Sequence, residues 1–343
     1  MRQRDIIVIG GSAGSIEALK TLFAALPPTL PAAIFVVVHM SADSPGLLPA
    51  IFDRISPLPV LQATDQTPIR AGHIYMAPPD QHLLVEPGWM RVTYGPRENR
   101  FRPAIDPLFR SAAYAFGPQV IGIVLSGLLD DGTAGLWAVK DRGGVAIVQE
   151  PSDALYPSMP QSALGYVAVD YRLPTSEMAA ILEHLVREPL AEEGEVPMSD
   201  ALAIETNIAL ENSALQSGIL RLGKPSLYTC PECHGVLVQI EEGAIVRYRC
   251  HTGHAYSQET LLAEVNEAVE ASLWSALRIL DEKILLLRHM AQQLYSPQHT
   301  DLIARLTAKA DEVEERAQAV RQVVMRQGAG DTRQGDTRQG DIR

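Results

Sequence analysis

Cysteine is scarce in this chain: three residues in 343, an odd number that excludes a complete disulfide framework. Long apolar runs are missing too. None reaches the ~18–20 residues that cross a bilayer, so no membrane-spanning segment is expected. Positive charge is in deficit, with 29 Lys and Arg against 41 Asp and Glu. A net charge of −12 argues against nucleic acid or an anionic membrane as the main partner. Met1 to Asp5 leads straight into an apolar segment. That leaves no room for a signal peptide, and the expectation is a cytoplasmic protein. Apolar material, in contrast, is sufficient: 46% hydrophobic against 20% charged residues can bury a core. The length accommodates about two domains of roughly 100–200 residues.

Between residues 5 and about 187, apolar runs at 5–9, 34–38, 74–77, 120–125 and 144–148 alternate with helical patterns at 15–26, 45–54, 106–116, 133–141 and 175–186. Near-continuous Val/Ile runs belong to strands buried on both faces. They predict a doubly wound, mostly parallel α/β sheet of the Rossmann-like kind over 1–187. Leu83 to Tyr94 reads as a hairpin around Pro87-Gly88. An acidic linker and connecting segment is expected over 188–225. It opens with Glu188, Glu192, Glu193, Glu195 and Asp200, has no basic residue up to Asp200, and carries Pro189, Gly194 and Pro197. A compact Cys/His unit occupies 226–256. Helical patterns at 258–295 and 299–326, split by Ser296-Pro297, form a helical hairpin or coiled coil over 257–326. In the second, Ile303, Leu306, Ala310, Val313, Ala317, Val320 and Val324 step by three and four in a heptad seam. A hairpin packing on itself is favoured over an intermolecular coiled coil. The tail, 327–343, repeats Asp-Thr-Arg-Gln-Gly with nothing to bury and is expected to be disordered.

Chemistry first shows at Gly10-Gly11-Ser12-Ala13-Gly14, between the run Ile6-Ile7-Val8-Ile9 and a helical stretch. A strand, a Gly-x-Ser-x-Gly turn and a helix push a serine hydroxyl outward beside a helix N-terminus, whose free N–H groups favour developing negative charge. A dinucleotide-binding turn is the competing reading. It lacks support, because Ser12 occupies the second glycine position and the second strand ends in His39, where such a site wants an acid. A serine nucleophile needs a base, commonly a histidine oriented by a carboxylate. His39 supplies one at the second strand end. Asp130 or Asp131, after the strand Val120–Leu125, supplies the other, and spacing alone leaves that choice open. Either aspartate could instead cap the following helix.

The motifs Gly10–Ser15, Val38-His39-Met40, Gly72–Pro78, Arg102–Phe109, Leu125–Gly132 and Met159-Pro160, in this order, closely resemble the catalytic domain of the chemotaxis protein-glutamate methylesterases, the CheB family. The resemblance covers 5 to about 187. It implies a serine hydrolase that cleaves glutamyl methyl esters on chemoreceptor-type signalling proteins, releases methanol and often deamidates glutamine. It assigns Ser12 as nucleophile, His39 as general base and Asp131, which precedes Gly132, as orienting acid. The oxyanion falls to backbone amides at Ala13 and Leu128. The family usually has threonine where this chain has Ala13, and Gly-Met-Gly where it has Gly127-Leu128-Leu129. Familiar members also carry a phospho-accepting receiver domain ahead of the esterase, so that switch is expected to be lacking here. His73, His82, Arg100 and Arg102 are expected as loop or rim residues.

Cys230-Pro231-Glu232-Cys233 is followed by Cys250-His251-Thr252-Gly253-His254. Cys-x2-Cys and Cys-x3-His supply the donors of a tetrahedral structural zinc, with Cys230, Cys233, Cys250 and His254 as ligands. His251 competes as fourth ligand, and a reduced redox Cys-x2-Cys is the plainer alternative. Catalysis itself is expected to need no cofactor. A zinc-ribbon-like unit followed by long helices resembles C-terminal extensions of receiver-less members of the family, and those helices are the expected site for a regulatory protein. The alternative function is a signalling adaptor, with a weakened esterase fold, acting through this C-terminal region.

Overall fold

The computed structural model describes residues 3–190, 199–211, 214–294 and 299–336. Its contacts divide the chain into two compact units, Met1–Leu262 and Ala263–Arg343.

In the first unit, strands β1 (Ile6–Gly11), β2 (Ala33–Val38), β3 (Val60–Gln62), β5 (His73–Met76), β8 (Val120–Val124), β9 (Val145–Gln149) and β10 (Tyr171–Leu173) form one seven-stranded sheet. Its order is β10-β9-β8-β1-β2-β5-β3, and every pairing is parallel. Alternate residues serve opposite faces. Val8, Phe35, Val124 and Val148 pack on one side, with Phe109 and Leu136; Ile7, Ile34, Ile123 and Ile147 pack on the other, with Leu19, Leu22 and Leu182. Two apolar faces are why the strands read as unbroken Val/Ile runs. The covering helices are α1 (Ser15–Ala24), α2 (Leu48–Asp53), α3 (Ile105–Phe116), α4 (Thr133–Asp141), α5 (Ser158–Tyr166) and α6 (Thr175–Arg187). Strands β4 (Thr67–Pro68), β6 (His82–Glu86) and β7 (Trp89–Thr93) make a small antiparallel sheet whose β6–β7 pair is the expected hairpin. The three-residue strands β3 and β10 escaped the sequence reading because each is too short to register as a run.

Residues 191–198 of the expected acidic linker lie outside the described residues. The stretch after them, which carried no clear pattern, holds α7 (Asp200–Glu211) and α8 (Ala214–Ser217). Helix α7 buries Leu202, Ile204, Ile208 and, unusually, Glu205. The Cys/His unit is an antiparallel sheet of β11 (Lys224–Thr229), β12 (Val236–Glu242), β13 (Ile245–Cys250) and β14 (Ala255–Ser257).

Helices α9 (Gln258–Gln293) and α10 (Thr300–Asp336) form the long hairpin. Leu277 and Ile284 of α9 pack on Val313 and Ala317 of the heptad seam. Asp281–Arg321 and Glu314–Arg288 ion pairs brace the same antiparallel contact. The Ser296-Pro297 break lies outside the described residues. One correction concerns the tail: α10 runs on to Asp336, ten residues past the expected end at 326. Extending an established helix adds a hydrogen bond per residue without a new nucleation cost, so it does not require the apolar seam to continue. Residues 337–343 lie outside the described residues.

Candidate active site and Cys/His cluster

The sheet order reverses at β1, which sits between β8 and β2. Strand order switches there, and a crevice opens at the C-terminal strand ends. Ser12 follows β1 in that crevice, His39 follows β2 and Asp131 follows β8. Glycine makes the turn feasible: Gly14 has φ +78°, and a Cβ there would meet Ser126 Oγ at 2.7 Å.

The three side chains meet in a relay. The Ser12 hydroxyl lies 3.2 Å from His39 Nδ1, and His39 Nε2–H donates to Asp131 Oδ2 at 2.7 Å. Both the imidazole and the carboxylate are only 2% exposed. Asp131 Oδ2 also accepts the Ile105 amide at 2.7 Å, and Oδ1 accepts Gly132 N–H at 3.0 Å and Asn99 Nδ2 at 2.8 Å. Burial alone would raise the Asp131 carboxyl; the His39 hydrogen bond and charge, with the Ile105 and Asn99 donors, outweigh it and hold it below the ordinary aspartate value. An ionised, fully bonded carboxylate fixes the ring tautomer and leaves Nδ1 free to accept the serine proton.

Asp130, the rival in the sequence, points elsewhere: it accepts the Ser257 hydroxyl at 2.7 Å. The loop after β8 lies against the serine, since a Cβ on Gly127 would stand 2.9 Å from Ser12 Cβ. Among the described residues, the Ala13 and Leu128 amides donate to no protein acceptor, whereas those of Ser12 and Gly127 donate to Ser126 and Tyr156 carbonyls. Leu129 sits at φ +61°, a left-handed position that glycine occupies at less cost.

Above the relay lies a cleft of about 670 Å³ lined by Ser12, His39, Phe101, Arg97, Arg100 and Arg102, among others. Arg100 and Arg102 are rim residues, as expected; Arg102 pairs with Asp80 at 2.8 Å and stacks over Tyr94. His82 is a correction. It is 1% exposed in β6, bonded to the Pro96 carbonyl and the Ala104 amide, so it is a satisfied interior residue. Sequence reasoning also missed Phe101, whose ring stacks on His39 at 3.7 Å and 10°, and Asn99. Neither belongs to a periodic pattern, and no spacing rule points to them.

In the four-stranded sheet, one ligand atom from each of Cys230, Cys233, Cys250 and His254 lies within 4.8 Å of the others. Cys233 Sγ is 3.5 Å from Cys250 Sγ, and His254 Nδ1 is 3.6 and 3.5 Å from Cys230 and Cys250 Sγ. Thiolate and imidazole bonds of ~2.3 and ~2.0 Å to a central ion require tetrahedral edges of about 3.5–3.8 Å, so the donor set fits a four-coordinate metal. The other ring nitrogen of His254 meets Glu232 Oε2 at 3.2 Å, a carboxylate that fixes the ring orientation. His251, the competing ligand, is not part of the cluster.

A family profile described as CheB methylesterase matches residues 7–182. A protein-glutamate methylesterase/protein-glutamine glutaminase 1 from Rhodospirillum rubrum is 38% identical over 184 residues, 51% of this chain and 47% of that protein. A Leptospira interrogans relative is 37% identical over 182 residues, which are 53% of this chain and 94% of the relative. The crystal structure of the Thermotoga maritima CheB methylesterase catalytic domain superposes with TM-score 0.51 at 32% identity, covering 54% of this chain and all of that one. The profile match ends at residue 182, so α7 and all that follows lie outside it.

Proposed function

The chain belongs to the CheB methylesterase family, and on that premise we propose that it is a serine hydrolase of glutamyl methyl esters on chemoreceptor-type signalling proteins. The observation that carries this reading is the unbroken Ser12–His39–Asp131 hydrogen-bonded relay under an arginine-rimmed cleft. Arg97, Arg100 and Arg102 outnumber Asp43 and Asp80 in the cleft lining, which suits an acidic protein substrate.

His39 Nδ1 takes the Ser12 proton as Oγ attacks the ester carbonyl. The tetrahedral oxyanion is held by the Ala13 and Leu128 amides; losing one such donor typically costs about 10²–10³ in turnover. Collapse breaks the C–OMe bond, the imidazolium returns its proton to the leaving oxygen, and methanol departs from a glutamyl-Ser12 ester. Water, deprotonated by the same imidazole, then attacks the acyl carbon; the substrate's glutamyl side chain leaves as a carboxylate and Ser12 takes back the proton. A glutamine side chain follows the same course with ammonia leaving, which gives the deamidase activity.

Cys230, Cys233, Cys250 and His254 would hold a structural zinc, which would stabilise the four-stranded sheet. The site of action is the cytoplasm, and α9–α10 is the surface for a regulatory protein. Ser12→Ala tests the core of the reading: methanol release from methylated receptor falls by on the order of 10⁴-fold or more while the melting temperature is kept. Turnover that survives the substitution overturns it, whereas no hydrolysis by the wild-type protein favours the adaptor alternative.

A further inference from the structure

Asn99 is 3% exposed, has φ +49° and stands between the active-site relay and the Cys/His sheet. Its Nδ2 donates to Asp131 Oδ1 at 2.8 Å and to Asp106 Oδ2 at 2.9 Å. Its Oδ1 accepts the Ser257 amide at 3.0 Å and the Thr260 hydroxyl at 3.3 Å. Ser257 ends β14, and Ser257 and Thr260 cap the start of α9 reciprocally, with the Thr260 amide donating to Ser257 Oγ at 3.0 Å. Backbone bonds tie the same two segments together: Asn99 N–H donates to the Ala255 carbonyl at 2.8 Å and Ala255 N–H to the Arg97 carbonyl at 3.3 Å.

The orientation of this amide is what matters. Asp106 and Asp131 are two buried carboxylates sharing one NH2 group. Turned over, the Asn99 side chain would set its oxygen against the oxygens of both buried carboxyl groups, an unfavourable contact in a low-dielectric site. The donors that prevent this, Ser257 N–H and Thr260 Oγ, come from the C-terminal sheet and helix, outside the matched family region.

We propose that Asn99 is a positioning residue for the Asp131–His39 pair, and that the β14–α9 junction governs the competence of the esterase centre by holding Asn99 in register. This rests on the serine-hydrolase reading above. The C-terminal sheet is then a regulatory element, and whatever shifts residues 255–260 shifts the reactivity of Ser12.

The test uses the full chain and a small fluorophosphonate, which labels an activated serine without needing a receptor. Asn99→Ala lowers the labelling rate of Ser12 about 10–100-fold, as removal of an orienting outer partner does elsewhere. Thr260→Val, which removes the side-chain donor to Asn99 Oδ1, lowers it about tenfold, and the double variant is no slower than Asn99→Ala alone, because both act through one contact. Additive losses, or unchanged labelling in Asn99→Ala, overturn the coupling. Should Asn99→Ala fail to fold, Thr260→Val alone keeps a readout in the imidazole titration of His39 by NMR. That titration shifts at an unchanged thermal midpoint if the junction acts on the relay, and an unmoved titration refutes it. A wild-type chain that takes no label at Ser12 overturns the hydrolase reading itself and this coupling with it; labelling indifferent to Asn99 overturns only the coupling.

Discussion

The seven-stranded and four-stranded sheets of the first compact unit are held together by opposite means. In the seven-stranded sheet, Ile7, Val8, Phe35, Val36, Ile123 and Ile147 are each 0% exposed, and burying a side chain of this size contributes about 1.5–3 kcal/mol. The four-stranded sheet has a small apolar centre, Leu237, Tyr248, Tyr256 and Leu261 with the cysteines. Among its most buried side chains are Arg247 and Arg249. Arg249 bonds Glu98 at 2.8 Å and Glu205 at 2.5 Å, Arg247 lies 3.5 Å from Glu205, and Arg110 pairs with Glu98. Burial alone would raise the Glu205 carboxyl, but Arg247, Arg249 and Arg110 drive it far below the ordinary glutamate value. Apolar burial is unconditional, whereas a buried ion is favourable only while its partners stay. The first sheet rests on apolar burial; the second rests on charges from other segments and carries a four-donor cluster able to hold a metal.

Chelation should break this contrast most strongly. Binding of a structural zinc is worth on the order of 10 kcal/mol in small domains. A strong chelator is therefore expected to expose all three thiols to a thiol reagent and to speed amide exchange across 224–257 while the seven-stranded sheet stays protected. Unchanged exchange in 224–257 would show that the sheet does not need the ion. Glu205→Gln comes next. It removes one anion facing Arg247 and Arg249, and breaking a buried network costs about 3–5 kcal/mol, read as a lowered denaturation midpoint.

The Asp130 contact is subtler and pH-dependent. Burial, against the Ser257 hydrogen bond, pushes its carboxyl up to about 7 from the ordinary 3.8. The folded protein thus holds this proton more tightly than the unfolded chain. The contribution is full below about pH 4 and is lost as the pH rises through about 7. Asp130→Asn keeps a neutral acceptor for Ser257, so its gain over wild type should open between these values and reach about 1–3 kcal/mol at pH 8. Equal gains at pH 4 and pH 8 would refute the linkage. Smallest is Leu129→Gly, expected to stabilise by about 0.5–1 kcal/mol, because relief at φ +61° exceeds the added freedom of the unfolded glycine. A lowered melting temperature would mean that the Leu129 side chain contributes more than its backbone costs.

The same contrast explains what could be read in advance. Strands β1, β2, β8 and β9 announce themselves because both faces are apolar, and Ser12, His39 and the Asp130-Asp131 pair because each follows such a strand; only the family resemblance singles out Asp131. The Cys/His spacing was equally plain, since metal donors recur at fixed intervals. Helix α7 was not: Glu205, at 0% exposure, puts a charge in the middle of its apolar stripe, and only the distant Arg247 and Arg249 make sense of it. Asn99 and Phe101 were invisible for a related reason. Their partners, Ser257 and His39, lie far away in sequence, so no local pattern encodes them.

The buried Glu98 and Arg110 carry a practical lesson for anyone trimming this protein to its recognisable half. A fragment ending at residue 187 keeps both side chains but loses Arg249 and Glu205, which complete their electrostatic complement. Such a fragment would expose Glu98 and Arg110 where the intact molecule buries them, and its behaviour would describe the wound left by the cut as much as the enzyme.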